Sequence, residues 1–170
     1  MKYLKGWSKM YNGYNPYNYP CPRWADTPMY PRRILPLRDY GPNPFVVNIE
    51  EATLQNNTFR TALWTGSYLQ LTLMTIHVGD SIGLEMHPDV DQFIRVEQGQ
   101  GLVLMGDSRD RLYYQQRVGD NYAIWIPAGK WHNLINTGRV PLKLYSIYAP
   151  PQHPRGTVHT TKTDAEDHHL

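Results

Sequence analysis

The residues of this chain best suited to chemistry lie in two short stretches. The first reads Glu85-Met86-His87, followed after four residues by Gln92; the second reads Pro127-Ala128-Gly129, followed after two residues by His132. Positions two apart in an extended strand point the same way, so Glu85 and His87 face one side together. A turn at Pro88-Asp89-Val90-Asp91 folds the chain back. Gln92, on one face with Ile94 and Val96, then looks towards an apolar interior, while Phe93, Arg95 and Glu97 face away. Pro127 and Gly129 make a tight corner before a strand that opens with His132 and carries Leu134 and Asn136 on the same face. If the two hairpins are neighbours, His132 lies opposite Glu85 and His87. Two imidazoles, one carboxylate and one amide oxygen then converge on a site for a divalent metal. Asn136 suits the tying of a turn better than a ligand role.

The elements that must position these residues are strands. Segments 68–78, 81–87, 92–97, 101–105, 112–116, 122–126, 132–136 and 142–148 have strand character, with Leu69, Leu71 and Leu73 alternating on one face of the first. Turn signals separate them, among them Val78-Gly79-Asp80, Gly106-Asp107-Ser108 and Thr137-Gly138. Short strands at near-regular spacing predict an all-β sandwich or barrel. Ahead of them, Asn48 with Glu50 and Glu51 predicts a helix cap and a short helix to about residue 56. Residues 1–44 are rich in Tyr, Asn and Pro and read as an irregular arm, which either packs along the barrel or a partner subunit or forms a disordered tail. The barrel is expected over residues 45–151. From Ala149-Pro150-Pro151 the chain is expected to leave the sheet, with 152–170 as a C-terminal tail that ends mobile or in a short exposed helix.

The two stretches resemble the signature motifs of the cupin superfamily, G-x5-H-x-H-x3,4-E-x6-G and G-x5-P-x-G-x2-H-x3-N. Spacing in the first matches from Gly79 to Gly99; the second matches from Pro127 to Asn136, with two extra residues after Gly119. The resemblance spans roughly residues 48–151 and implies a jelly-roll β-barrel, commonly a homodimer. Within the superfamily the chain is most similar to small single-domain cupins of the mannose-6-phosphate-isomerase-like group, a likeness extended by Tyr148-Ala149-Pro150-Pro151-Gln152-His153-Pro154 and Gly156-Thr157-Val158-His159. It departs from the motif at two places: Glu85 stands where the family has its first His, and Gln92 where it has its Glu. The carboxylate has moved within the set, and its oxygen character favours Mn, Fe, Ni or Zn over copper. Gln92 is either a weak ligand or a hydrogen-bonding support for the others.

The resemblance implies an isomerase or epimerase of a sugar or related hydroxy-carbonyl compound, with Glu85 as the base if it is not ligated. The alternatives are an Fe(II)-dependent dioxygenase and a non-catalytic binding or structural cupin whose aromatic arm fastens an assembly. His153 and His159 either close over the barrel mouth as acid or base or decorate the tail. Tyr113, Tyr114, Trp125 and Trp131 line a pocket or serve as core and interface. No Arg/Lys cluster marks a phosphate site, so the expected partner is a small-molecule substrate without a phosphate.

Composition narrows the classes. Seventeen Lys and Arg against fifteen Asp and Glu give a formal charge of +2 with the cations scattered, which speaks against nucleic acid. The sequence has no run of about eighteen apolar residues that would span a membrane. Residues 1–10 lack the apolar core of a secretory signal, and the single cysteine, Cys21, has no partner for an internal disulfide. A cytoplasmic location is expected on these grounds.

Overall fold

A computed structural model describes residues 34–166. The stretch up to residue 33, including Cys21 and most of the expected arm, and the last four residues of the tail lie outside the described residues. Helix α1 (Ile49–Gln55) begins as expected: Asn48 Oδ1 accepts the Glu51 backbone N–H at 3.2 Å, and Glu50 and Glu51 sit at the positive end of the helix dipole. At the other end, Lys143 Nζ donates to the carbonyls of Leu54 (2.5 Å) and Asn56 (2.8 Å), a cation where the dipole is negative.

Nine strands follow among the described residues: β1 (Arg60–Thr65), β2 (Gln70–Ile76), β3 (Asp91–Gln98), β4 (Gly101–Gly106), β5 (Tyr114–Val118), β6 (Ala123–Ile126), β7 (Trp131–Asn136), β8 (Leu142–Ala149) and β9 (Val158–His159); helix α2 (Lys162–Glu166) ends the described chain. They form two antiparallel sheets, one in the order β6-β3-β8-β2-β1-β9 and one in the order β5-β4-β7. This is the mostly-β architecture expected of a cupin jelly roll. The strand period of two decides what each sheet buries. Leu144 on β8 lies opposite Met74 on β2 and Val96 on β3, and these join Ile94, Leu134 and Val103 in the core between the sheets. The outer face of the first sheet is apolar as well. Leu63, Leu71 and Leu73 pack under Leu35, Leu37, Phe45 and Val47, so residues 35–47 run against the sheet. Asp39 fastens that run, accepting the N–H groups of Gly41 (2.9 Å), Thr65 (3.0 Å) and Gly156 (2.9 Å) and the Thr65 hydroxyl (2.6 Å).

Three local expectations are corrected. Residues 81–87 do not form a regular strand; Gly83 at φ +97° breaks the run, and the segment joins β7 only through isolated bridges, Ser81 to Ile135 and Glu85 to His132. The strand expected at 112–116 lies at 114–118, because it must match β4 from Gly101 to Met105. The chain after Pro151 does not leave the sheet for good: β9 returns to pair with β1, Arg60 facing His159. No helix among the described residues is long and apolar enough to cross a membrane.

Candidate metal centre

Sheet register places a polar band on the otherwise apolar inner face. On β3, β8 and β2 the inward row is Gln92, Tyr148 and Gln70; the next row holds Ser146 and Thr72. Arg60 on β1 and His159 on β9 continue the inward phase, since Arg60 pairs with Met74. Across from this band, the irregular segment 79–87 lies beside β7. Glu85 and His132 exchange both backbone hydrogen bonds, at 3.0 and 2.9 Å, which puts their side chains on neighbouring positions of one face. The Pro127-Ala128-Gly129 corner ties in as well, with Gly129 N–H donating to His87 O at 2.7 Å. Gly129 takes φ +77°, a backbone state that glycine adopts without a Cβ penalty.

These constraints gather three of the four expected ligands. Ligating atoms of Glu85, His87 and His132 all lie within 4.8 Å of one another. Glu85 Oε1 is 3.3 Å from His132 Nε2 and 3.6 Å from His87 Nε2. Both separations are long for charge-assisted hydrogen bonds, and all three atoms are buried without a hydrogen-bond partner. Donor atoms about 2.0–2.2 Å from one ion stand roughly 3.0–3.5 Å apart, so the spacing suits a shared cation better than mutual hydrogen bonding. His132 Nδ1 donates to the Lys130 carbonyl at 2.9 Å, which fixes the tautomer and leaves the Nε2 lone pair for a metal. Burial works against the Glu85 carboxylate, but the imidazoles of His132 and His87 and the more distant charge of Arg60 outweigh it. The carboxyl is held well below the usual range and stays ionised. The cluster thus has the chemistry of a metal site: two imidazole nitrogens and one anionic oxygen.

Gln92 is buried on the inner face, its Nε2 donating to Ser146 Oγ at 2.9 Å while Oε1 has no partner. Asn136 ties a turn as expected, donating to the carbonyls of Ile76 and Val140 and accepting the Gly138 N–H, each at 2.9 Å. His153 and His159 are buried rather than tail decoration. Gln70 clamps the His153 backbone from both sides, Nε2 to its carbonyl and Oε1 from its N–H, both at 2.9 Å. The His153 ring stands edge-on to Tyr148 at 5.0 Å. Burial first, and the Arg60 charge second, push the His153 imidazole down to about 3. Burial also raises the Tyr148 phenol, which therefore keeps its proton.

Sequence reasoning missed Arg60, Gln70, Thr72, Ser146 and Tyr148. The signal was present as polar residues at inward phase within apolar strands, Gln70-x-Thr72 and Ser146-x-Tyr148. Of the four aromatic residues considered for a pocket, Tyr113, Tyr114 and Trp125 line an apolar cleft of about 470 Å³ that also takes in Met105, Pro127 and Lys130. Trp131 is absent from that lining; it stacks under Arg109 instead. The cleft does not contain the metal cluster. It adjoins it, since Met105 is the ladder partner of His132.

Comparison with known proteins agrees with this architecture. Residues 72–148 match the cupin domain family (Cupin_2). The chain belongs to the cupin superfamily. It is 66% identical over 136 residues to the uncharacterized protein YrkC of Bacillus subtilis (strain 168), covering 80% of this chain and 73% of that one. An uncharacterized protein of Acanthamoeba polyphaga mimivirus is 40% identical over 115 residues, covering 67% and 70%. The crystal structure of BH2720 from Bacillus halodurans superposes with a TM-score of 0.76 at 65% identity, over 76% of this chain and 98% of that one.

Proposed function

We propose that this chain is a metal-binding cupin that works as a metal-dependent enzyme, isomerising or epimerising a small hydroxy-carbonyl compound. The observation that carries the reading is the convergence of Glu85, His87 and His132, with unused lone pairs, inside the barrel. Gln92 Oε1, oriented by Ser146, is the fourth donor in this proposal. A divalent transition ion held there supplies Lewis acidity to a substrate oxygen. Glu85 is a metal ligand in this proposal, so proton movement falls to other groups. His153 presents a neutral imidazole with an unpaired Nε2, and Tyr148 presents a protonated hydroxyl beside it. An acceptor and a donor side by side are what proton transfer between neighbouring carbons requires.

The test is elemental analysis of the purified protein, followed by solvent-deuterium incorporation into a panel of aldoses, ketoses and hydroxy-ketones. About one Mn, Fe, Ni or Zn per chain and exchange of a carbon-bound proton are expected. A folded protein that takes up none of these metals would overturn the reading. A second reading, an Fe(II)-dependent dioxygenase, is favoured by the ligand count, two imidazoles and one carboxylate. It predicts oxygen consumption by the Fe(II)-loaded protein with thiols, diketones or phenols, and no uptake across that panel counts against it.

A further inference from the structure

We propose that the barrel interior holds, beside the metal cluster, a subsite for the carboxylate of a small organic acid, anchored by Arg60. The inference builds on the metal-binding reading and names a substrate class for it.

Arg60 is only 2% exposed and points inward from β1. Among the described residues its guanidinium meets His159 Nδ1 at 3.5 Å and the face of Phe59 at 5.5 Å. Its Nε has no hydrogen-bond partner, and among the described residues no carboxylate lies within 4.0 Å of the guanidinium. A guanidinium is always charged, and a buried charge without a paired anion is strongly destabilising. The inner carboxylate whose field reaches Arg60 is Glu85, and its Oε1 lies in the cluster with His87 and His132. With a divalent ion in place, the interior carries two net positive charges, and an anionic guest would offset them.

The neighbouring orphans describe the guest further. Tyr148 Oη and Thr72 Oγ1 are buried with no hydrogen bond of good geometry, the Thr72 and Ser146 hydroxyls lying near the phenol, and Arg60 Nε is buried without a partner. Two hydroxyls and a guanidinium fork are donors, and donors around a fixed cation match a carboxylate, which accepts about four hydrogen bonds. A phosphate dianion is a poorer match to a single arginine. The guest is therefore a short organic acid whose carboxylate takes Arg60 and whose hydroxyl or carbonyl oxygen is turned towards the metal cluster.

The experiment is calorimetric titration and thermal melting of the metal-loaded protein with glycolate, pyruvate, oxalate and malonate, against glycolamide, pyruvamide and inorganic phosphate. The acids are expected to bind and raise the melting temperature, and the uncharged analogues are not. Arg60→Met is expected to weaken acid binding roughly 10- to 100-fold, the loss of hydrogen bonds to a charged partner. It should also melt no lower than wild type in the absence of acid, because an unpaired buried charge has been removed. Arg60→Lys should bind acids at an intermediate level. Phosphate binding as tight as the best acid, no acid binding by wild type, or an Arg60→Met protein that melts lower while binding acids normally would each overturn the proposal. Metal content measured on the same samples separates the two readings. A metal-free protein that still binds acids through Arg60 keeps the subsite and ends the metal reading, and a metal-loaded protein indifferent to every acid does the reverse.

Discussion

At the scale of single residues, the site combines one ionised carboxylate, two imidazoles and a set of buried polar atoms without partners. Glu85→Gln keeps the shape and removes the charge. Metal affinity is expected to fall by at least the roughly 10- to 100-fold that loss of an outer hydrogen-bonding partner costs, read by competition with a chromophoric chelator. An unchanged affinity would take Glu85 out of the ligand set. His153 makes a prediction in pH. Its folded-state value, about 3, lies below the ordinary histidine value, so the unfolded chain takes up a proton that the native protein refuses. Stability from this residue is therefore complete above about pH 6.5 and declines continuously as pH falls towards 3, by about 2 kcal/mol at pH 5. His153→Gln removes that slope, so melting curves of variant and wild type should draw together or cross between pH 7 and pH 4. Parallel curves would show that the imidazole is not held neutral by its surroundings.

At the scale of elements, the site depends on two corners and a run of chain held on by hydrogen bonds. Gly129 has a positive φ, and a Cβ placed there would meet no other atom within 4 Å. Gly129→Ala therefore tests the backbone alone. A cost of about 1–2 kcal/mol is expected, seen as a lower urea midpoint with an unchanged slope. Because Gly129 N–H also holds the His87 carbonyl, the same variant should bind metal more weakly. Asp39 makes the corresponding case for residues 35–47. Burial would raise its carboxyl, but the hydrogen bonds from Thr65, Gly156 and Gly41 outweigh it and leave the group below its ordinary value. A lowered carboxyl contributes stability that is present above the unfolded value, near 4, and is lost as pH falls through the folded one. Asp39→Asn should therefore melt below wild type at pH 7, by roughly 1–3 kcal/mol for partly exposed charged hydrogen bonds, with the gap narrowing as pH falls below about 4.

At the scale of the molecule, two sheets close on a core that is apolar at one end and polar at the other. Leu144, Met74 and Val96 form a continuous row across the larger sheet in the apolar part. Leu144 is fully buried, and Leu144→Ala is expected to cost about 2–5 kcal/mol, measured by urea unfolding, with the metal content of the surviving folded protein unchanged. Loss of the metal in step with the core would mean that the polar end is not independently braced by its hydrogen bonds. The polar end contrasts with the core by design of register: the same strands that supply Leu144 and Met74 supply Tyr148, Ser146, Gln70 and Thr72 a few residues away.

The sequence alone determined the features that depend on near neighbours in the chain. Period-two alternation set the phase of Gln92 with Ile94 on β3, because successive side chains of an extended strand must point opposite ways. Asn48 capped its helix and Asn136 tied its turn because both act within a few residues of themselves. Spacing around His132 marked the second half of the metal cluster. The rest was decided by which strands lie side by side. Arg60 met His159 across 99 residues, and Gln70 held His153 across 83, only once β9 had returned to β1. No local pattern encodes that return, since a two-residue strand leaves almost no periodicity and its pairing is won by closing the barrel. Hence the cluster of Glu85, His87 and His132 was legible from motif and spacing, while the charged interior around Arg60 emerged only when the sheets were folded over it.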